Sequence, residues 1–169
     1  MADLDVERLF AEHAQALYGF LAYRVADPGV AEDLLGDTFE RVVRSARSYD
    51  RRKGGEQTWL YTIALNCLRD HQRRNKVELA ANERALPTGQ DMSGGLDALA
   101  DRDLLMRGLD ELDPGEREIL ALRYGADLRL RDIAIVTGLP ETTVQGRLYS
   151  GLRKLREVLD RDQARTSGS

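Results

Sequence analysis

The sequence predicts an all-α protein: two small helical domains joined by a flexible linker, the second a four-helix domain containing a helix-turn-helix. Three observations carry that prediction. Apolar residues recur at spacings of three and four along most of the chain, the period of one face of a helix. The pattern fails once, around "PTGQDMSGG", where Pro87, Gly89, Gly94 and Gly95 fall within nine residues. Near the C-terminus a short helical pattern, a glycine turn and a longer helical pattern follow one another in "RLRDIAIVTGLPETTVQGRLYSGLRKL". The predicted boundaries are 1–76 for the first domain, 77–100 for the linker, 101–160 for the second domain and 161–169 for a disordered tail.

The elements follow in order. "VERLFAEHAQALYGFLAYRV" places Val6, Leu9, Phe10, His13, Leu17, Phe20 and Leu21 on one stripe, and "DPG" at 27–29 ends it. "VAEDLLGDTFERVVRSA" repeats the pattern with Leu34, Leu35, Phe39, Val42, Val43 and Ala46. "SYDRRKGGEQ" is polar, basic and Gly-containing, hence a loop. "TWLYTIALNCLRDHQRR" is helical again, with Leu60, Ile63, Ala64 and Cys67 inward. In the second domain "DRDLLMRGLDEL" precedes "DPGEREILALRY". There Asp113 suits an N-cap, Pro114 the first helical position and Glu116 the third residue of a capping box. The next helix stops at Gly138, a residue suited to a left-handed turn. The last helix runs from Leu139-Pro140 to about Leu159 and buries Val144, Leu148, Leu152 or Gly151, Leu155 and Leu159.

Composition narrows the function classes. The single cysteine, Cys67, cannot form an internal disulfide, and no apolar run approaches the roughly 18–20 residues that cross a membrane. The start "MADLDVERLF" lacks a basic region and an apolar signal core, so a cytoplasmic protein without membrane insertion is expected. His13, His71 and Cys67 lack the paired spacing of a zinc site. With no Gly-rich phosphate loop and no nucleophile–base pattern, the sequence predicts no catalytic residue, metal or cofactor, and no enzyme.

The net charge of −4 is unevenly distributed. Residues 1–50 carry five basic and ten acidic side chains, and residues 51–76 carry seven basic and two acidic. Fields at a phosphate surface are local, since the Debye length is about 10 Å in moderate salt. An acidic total therefore leaves room for basic faces that meet nucleic acid.

Three stretches bear chemistry. On the last helix Thr142, Gln145, Tyr149 and Arg153 face out, flanked by Arg147 and Lys154. Gln pairs with adenine edges, Thr meets bases or methyl groups, and Arg holds phosphate or guanine, so this face suits the major groove. On the third helix Thr62, Asn66, Arg69 and Arg73 share one face, preceded by Tyr49, Arg51, Arg52 and Lys53 in the loop, with Trp59 at the junction and Tyr61 nearby. Basic residues interleaved with aromatic rings suit single-stranded nucleic acid, although Trp59 fits a core position equally well. The second helix offers an outer strip of Glu32, Asp33, Gly36, Asp37 and Glu40, which suits a basic protein surface or simply solvent. Taken alone, these features also fit a conventional DNA-binding regulator using 113–159, or a protein-interaction module that mimics a DNA-binding factor.

The order "AEDLLGDTFERV", "SYDRRKGGEQTWLYTIALNCLRDHQRR", "LDELDPGEREILALRY" and "LRDIAIVTGLPETTVQGRLYSGLRKLREVL" resembles a bacterial sigma factor of the extracytoplasmic-function (ECF) class. The resemblance implies a transcription initiation factor that binds core RNA polymerase, directs it to specific promoter DNA and is held in check by an anti-sigma factor. It implies that Asp33, Leu34, Asp37, Thr38, Phe39 and Arg41 lie in the polymerase-docking surface. It implies that Tyr49, Arg51, Arg52 and Lys53, with Trp59, Thr62, Asn66, Arg69 and Arg73, open and read the −10 element. For the −35 element it implies the last helix, with Thr142, Thr143, Gln145, Gly146 and Arg147 on its first turns and Tyr149, Ser150, Arg153 and Lys154 beyond. The chain departs from the family at Gly36, usually polar and often Gln; at Thr142, often Gly; at Gly146, often Ser; and at Ile135, often charged.

Overall fold

The computed structural model describes residues 3–25, 27–75 and 96–168, with the side chains of the last stretch described from 103 onward. The regular secondary structure of the described residues is all helical: α1 (Val6–Val25), α2 (Pro28–Ser45) with a 3-10 turn at Ala46–Ser48, α3 (Glu56–Asn75), α4 (Leu96–Asp110), α5 (Pro114–Leu120) running into a π turn at Ala121–Gly125, α6 (Leu130–Thr137) and α7 (Glu141–Ser167). They sort into two compact units. One holds α1–α3 together with 131–139; the other holds the remaining residues from 96 onward.

In the first unit α1 packs on both α2 and α3, and α2 packs on α3. Leu9, Leu17 and Leu21 of α1, Ala31 and Val42 of α2, and Leu60, Ala64, Leu65 and Leu68 of α3 are fully buried. Asp27 caps α2 by accepting from the Gly29 amide at 2.9 Å, which satisfies one of the unpaired amides of the first turn. Two cross-helix ion pairs fix the orientation: Arg8 with Glu56 at 2.7 Å ties α1 to α3, and Arg41 with Asp70 at 3.1 Å ties α2 to α3. Phe10 and Val43, expected on the buried stripes, are exposed, because each sits at the edge of its stripe. Phe10 nevertheless meets the Phe39 ring edge-on at 4.8 Å.

In the second unit α7 packs against α4 and α5. The predicted capping box is present: Glu116 N donates to Asp113 Oδ1 at 2.8 Å, and Asp113 N donates to Glu116 Oε2 at 3.1 Å. The buried stripe of α7 is Val144, Leu148, Gly151 and Val158. Gly151 rather than Leu152 faces inward, and Leu159 is exposed. Buried spacings of four and three lead to Val158, one position before the expected residue.

Three predicted boundaries move. The predicted linker covers 77–100; residues 77–95 lie outside the described residues, and 96–100 form the first turns of α4. Gly94-Gly95 is followed there by "LDALA", whose Leu and Ala are strong helix formers. The predicted disordered tail is helical to Ser167. No Gly or Pro interrupts "DRDQARTS", and Arg161 forks onto both oxygens of Glu111 at 2.8 and 2.7 Å. Finally, 131–139 group with the first unit. One of the two ends of that segment falls between Leu139 and Pro140, beside Gly138, which is left-handed (φ 72°), and at Pro140, which is extended (ψ 145°).

Candidate nucleic-acid and polymerase interfaces

The α7 face begins at the turn. Gly138 closes α6 by donating its amide to the Ala134 carbonyl at 2.9 Å, and the Pro140 carbonyl accepts from the Thr143 and Val144 amides at 3.0 and 3.1 Å, starting α7. With Val144, Leu148 and Gly151 inward, helical geometry turns Thr142, Gln145, Gly146, Tyr149 and Arg153 outward, and all five are exposed. Tyr149 is 64% exposed, enough for its ring to meet a partner surface. Arg147 is exposed as well, with its guanidinium over Gly115: a Cβ there would lie 2.9 Å from Nη1. Thr143 is half-buried.

Ser150 and Lys154 are placed differently from the sequence expectation. Ser150 Oγ donates to Glu116 Oε1 at 2.7 Å, and Lys154 Nζ donates to Glu116 Oε2 at 2.9 Å. The Glu116 side chain is only 5% exposed. Burial by itself would raise its pKa; the bonds from Ser150, Lys154 and the Asp113 amide outweigh burial and hold the carboxyl below its ordinary value. The sequence shows Glu116 as a capping-box residue. Its partners 34 and 38 positions downstream are invisible without the α5–α7 packing.

The second face combines the 49–55 loop with α3. Asp50 makes the loop tight: its carbonyl accepts from the Lys53 amide at 3.0 Å and its Oδ1 from the Arg52 amide at 3.0 Å. Arg51, Arg52 and Lys53 therefore project from a turn, and all three are exposed. Tyr49 donates its hydroxyl to the Gly54 carbonyl at 3.2 Å and sets its ring 5.4 Å from Trp59, with 57° between the planes. Trp59 is half-buried, neither sealed in the core nor free of it. Along α3 Asn66 and Arg73 are exposed and Thr62 and Arg69 half-buried. Arg73 pairs with Asp70 at 2.6 Å, Thr62 donates to the Thr58 carbonyl at 2.8 Å and Arg69 to a backbone carbonyl at 3.3 Å. Tyr61 is excluded from any stacking role, because it is buried against Phe20 with ring centroids 5.7 Å apart.

The third face is the outer side of α2. Asp33 and Asp37 are exposed, together with Glu32, Gly36 and Glu40. Leu34, Thr38 and Phe39 are buried, so they shape this helix from beneath rather than offering side chains to a partner. Thr38 spends its hydroxyl on the Leu34 carbonyl at 2.7 Å, which is how a polar residue is accommodated inside. Arg41 is half-buried and paired with Asp70. Cys67 lies beneath this region, its thiol pushed up by burial. Among the described residues no group of three or more His, Cys, Asp or Glu is placed to hold a metal ion, and no helix is long and apolar enough to cross a membrane.

These two helical units with their exposed basic and acidic faces match known proteins along most of the chain. Residues 9–77 match the Sigma-70 region 2 family, and residues 102–155 match the Sigma-70, region 4 family. The chain is 34% identical over 158 residues to the RNA polymerase sigma factor CarQ of Myxococcus xanthus, covering 90% of this chain and 88% of that protein. It is 24% identical over 162 residues to the ECF RNA polymerase sigma factor SigM of Bacillus subtilis (strain 168), covering 94% and 97%. Among solved structures, the sigma factor RpoE of Bartonella quintana, crystallised with the anti-sigma factor NepR, has the same fold: TM-score 0.74, 22% identity, 92% of this chain and 97% of that one. The chain belongs to the RNA polymerase sigma factors of the ECF class.

Proposed function

We propose that this chain binds core RNA polymerase and directs it to a class of promoters, reading the −35 element as duplex and the −10 element as unpaired DNA. The observation that carries this reading is the coexistence, in one family-matched chain, of a polar α7 face for a groove and a basic, aromatic loop–helix face for single strands. Thr142, Gln145, Gly146, Arg147, Tyr149 and Arg153 meet the −35 duplex, with Thr143 at the edge of the contact. Arg51, Arg52 and Lys53 follow the displaced backbone, Trp59 and Tyr49 supply rings for the −10 bases, and Thr62, Asn66, Arg69 and Arg73 line the path along α3. Asp33 and Asp37 dock on polymerase, over a helix shaped by Leu34, Thr38 and Phe39 and tied down through Arg41.

The functional division is 1–76 for polymerase and −10 recognition and 101–160 for the −35 element. The protein acts in the cytoplasm as an initiation factor and not as an enzyme. An anti-sigma factor covers these faces when the protein is idle, by analogy with the Bartonella quintana complex. Permanganate probing of holoenzyme on promoter DNA tests the reading. Unpaired thymines are expected in a −10 segment only when this chain is present; a duplex that stays closed counts against it.

A further inference from the structure

The carboxylate of Glu116, on α5, is held by two side chains of α7. A Cβ on Gly151 would lie 3.0 Å from Leu120 Cδ1 and 3.5 Å from Glu116 Cβ, so the two helices meet almost backbone to side chain. Ser150 and Lys154 are one helical turn apart and straddle Gly151, and both turn toward the same carboxylate. Each oxygen is used: Oε1 by Ser150, Oε2 by Lys154 and the Asp113 amide. We infer that Glu116 is a positioning residue for promoter reading, which captures Ser150 and Lys154, withdraws them from phosphate contact and fixes the angle at which Thr142, Gln145, Tyr149 and Arg153 face DNA.

Energetics favour capture over phosphate contact. A buried carboxylate is tolerated only while its partners remain, and removing one leaves an uncompensated charge. Drawing Lys154 out to a solvated phosphate would strip Glu116 of the cation that lies 2.9 Å from its Oε2. Arg153 has no such tie to this cluster and is exposed. The adjacent cations therefore divide the work, Lys154 held on the Glu116 carboxylate and Arg153 directed toward DNA.

This inference rests on the reading of α7 as the duplex reader, and one experiment separates the two. Holoenzyme is assembled with Arg153→Ala, Lys154→Ala, Lys154→Arg, Glu116→Gln and the Glu116→Gln/Lys154→Ala pair. Binding is measured against salt on a promoter fragment mapped by run-off transcription, and on the same fragment with its −35 segment altered. Arg153→Ala is expected to reduce the salt slope by about 0.9, the loss of one phosphate contact. Lys154→Ala is expected to leave the slope intact, lower the Tm of the chain by at least about 2–4 °C and reduce discrimination between the two fragments severalfold. Lys154→Arg should restore both, and the double variant should be no worse than its poorer parent, the mark of coupled residues. A slope loss in Lys154→Ala equal to that of Arg153→Ala, with unchanged Tm and additive effects, overturns the positioning role alone. An unchanged slope in Arg153→Ala removes the duplex-reading role of α7, and the positioning role with it.

Discussion

The Tyr49 ring lies 5.4 Å from that of Trp59 at 57°, held there by the hydroxyl bond from Tyr49 to Gly54. This pair makes the loop before α3 a semi-rigid aromatic step rather than a loose basic tail. Trp59→Ala is expected to impair open-complex formation while duplex binding persists. Base–aromatic stacking contributes about 1–3 kcal/mol per base, so the loss should be roughly 5- to 150-fold in open-complex occupancy. Circular dichroism checks the folded state of the variant; a chain that no longer folds would return Trp59 to a purely structural role.

The outer strip of α2 yields a charge prediction. Asp37 is exposed beside Asp33, and the polar side chains beneath it already have partners. Asp37→Arg should weaken holoenzyme assembly by roughly tenfold or more, because reversing a charge at a complementary interface adds repulsion to the lost attraction. The fold should persist, since the position is solvent-facing. Competition for core polymerase measures this directly, and undiminished assembly would remove Asp37 from the docking surface.

Two helical glycines should respond with opposite sign to the same substitution. Around Gly36 a Cβ meets nothing within 4 Å, whereas at Gly151 it would press on Leu120 at 3.0 Å. Gly36→Ala is expected to stabilise the chain by about 0.5–1 kcal/mol through helix propensity. Gly151→Ala gains the same propensity, but Leu120 is buried and cannot swing aside; overpacking of about 1–3 kcal/mol wins. Thermal melts of both variants give the comparison. If Gly36→Ala also changes polymerase affinity, backbone approach at that position takes part in docking.

Tyr61 carries a pH prediction. Its hydroxyl is buried and has no partner among the described residues, and burial pushes its pKa up to about 12. An unfolded tyrosine ionises near pH 10. The folded state holds the proton more tightly, so this contribution to stability is complete below about pH 10 and is lost as pH rises toward 12. Tyr61→Phe should remove that alkaline loss and, by deleting an unsatisfied hydroxyl, raise stability at neutral pH by about 1 kcal/mol. Denaturant melts at pH 7 and pH 11 test both parts; a less stable phenylalanine variant at pH 7 would mean that the hydroxyl has a partner after all.

Much of this was legible in the order of residues. The outer face of α7 followed from the phase of Val144 and Leu148, and the capping box from Asp113, Pro114 and Glu116. What escaped lies in hydroxyl satisfaction, helix phase and ion pairing, which apolar spacing does not report. Thr38 looks polar and therefore outward, yet its hydroxyl can satisfy itself on the carbonyl one turn back, which allows full burial. Tyr61 looks like a partner of Trp59, but residues two apart on a helix point about 200° apart and only Trp59 stays at the surface. The extra turns of α7 rely on exposed ion pairs with Arg107 and Glu111, which leave no apolar periodicity to read.

The central claim is that a single chain selects promoters for polymerase through two separate DNA faces. Run-off transcription from genomic fragments, using core polymerase with and without this chain and mapping the start sites, tests it most directly. Discrete transcripts that appear only with the chain, and share sequence elements near −35 and −10, are the predicted result. Tight duplex binding with no new transcripts would contradict the claim.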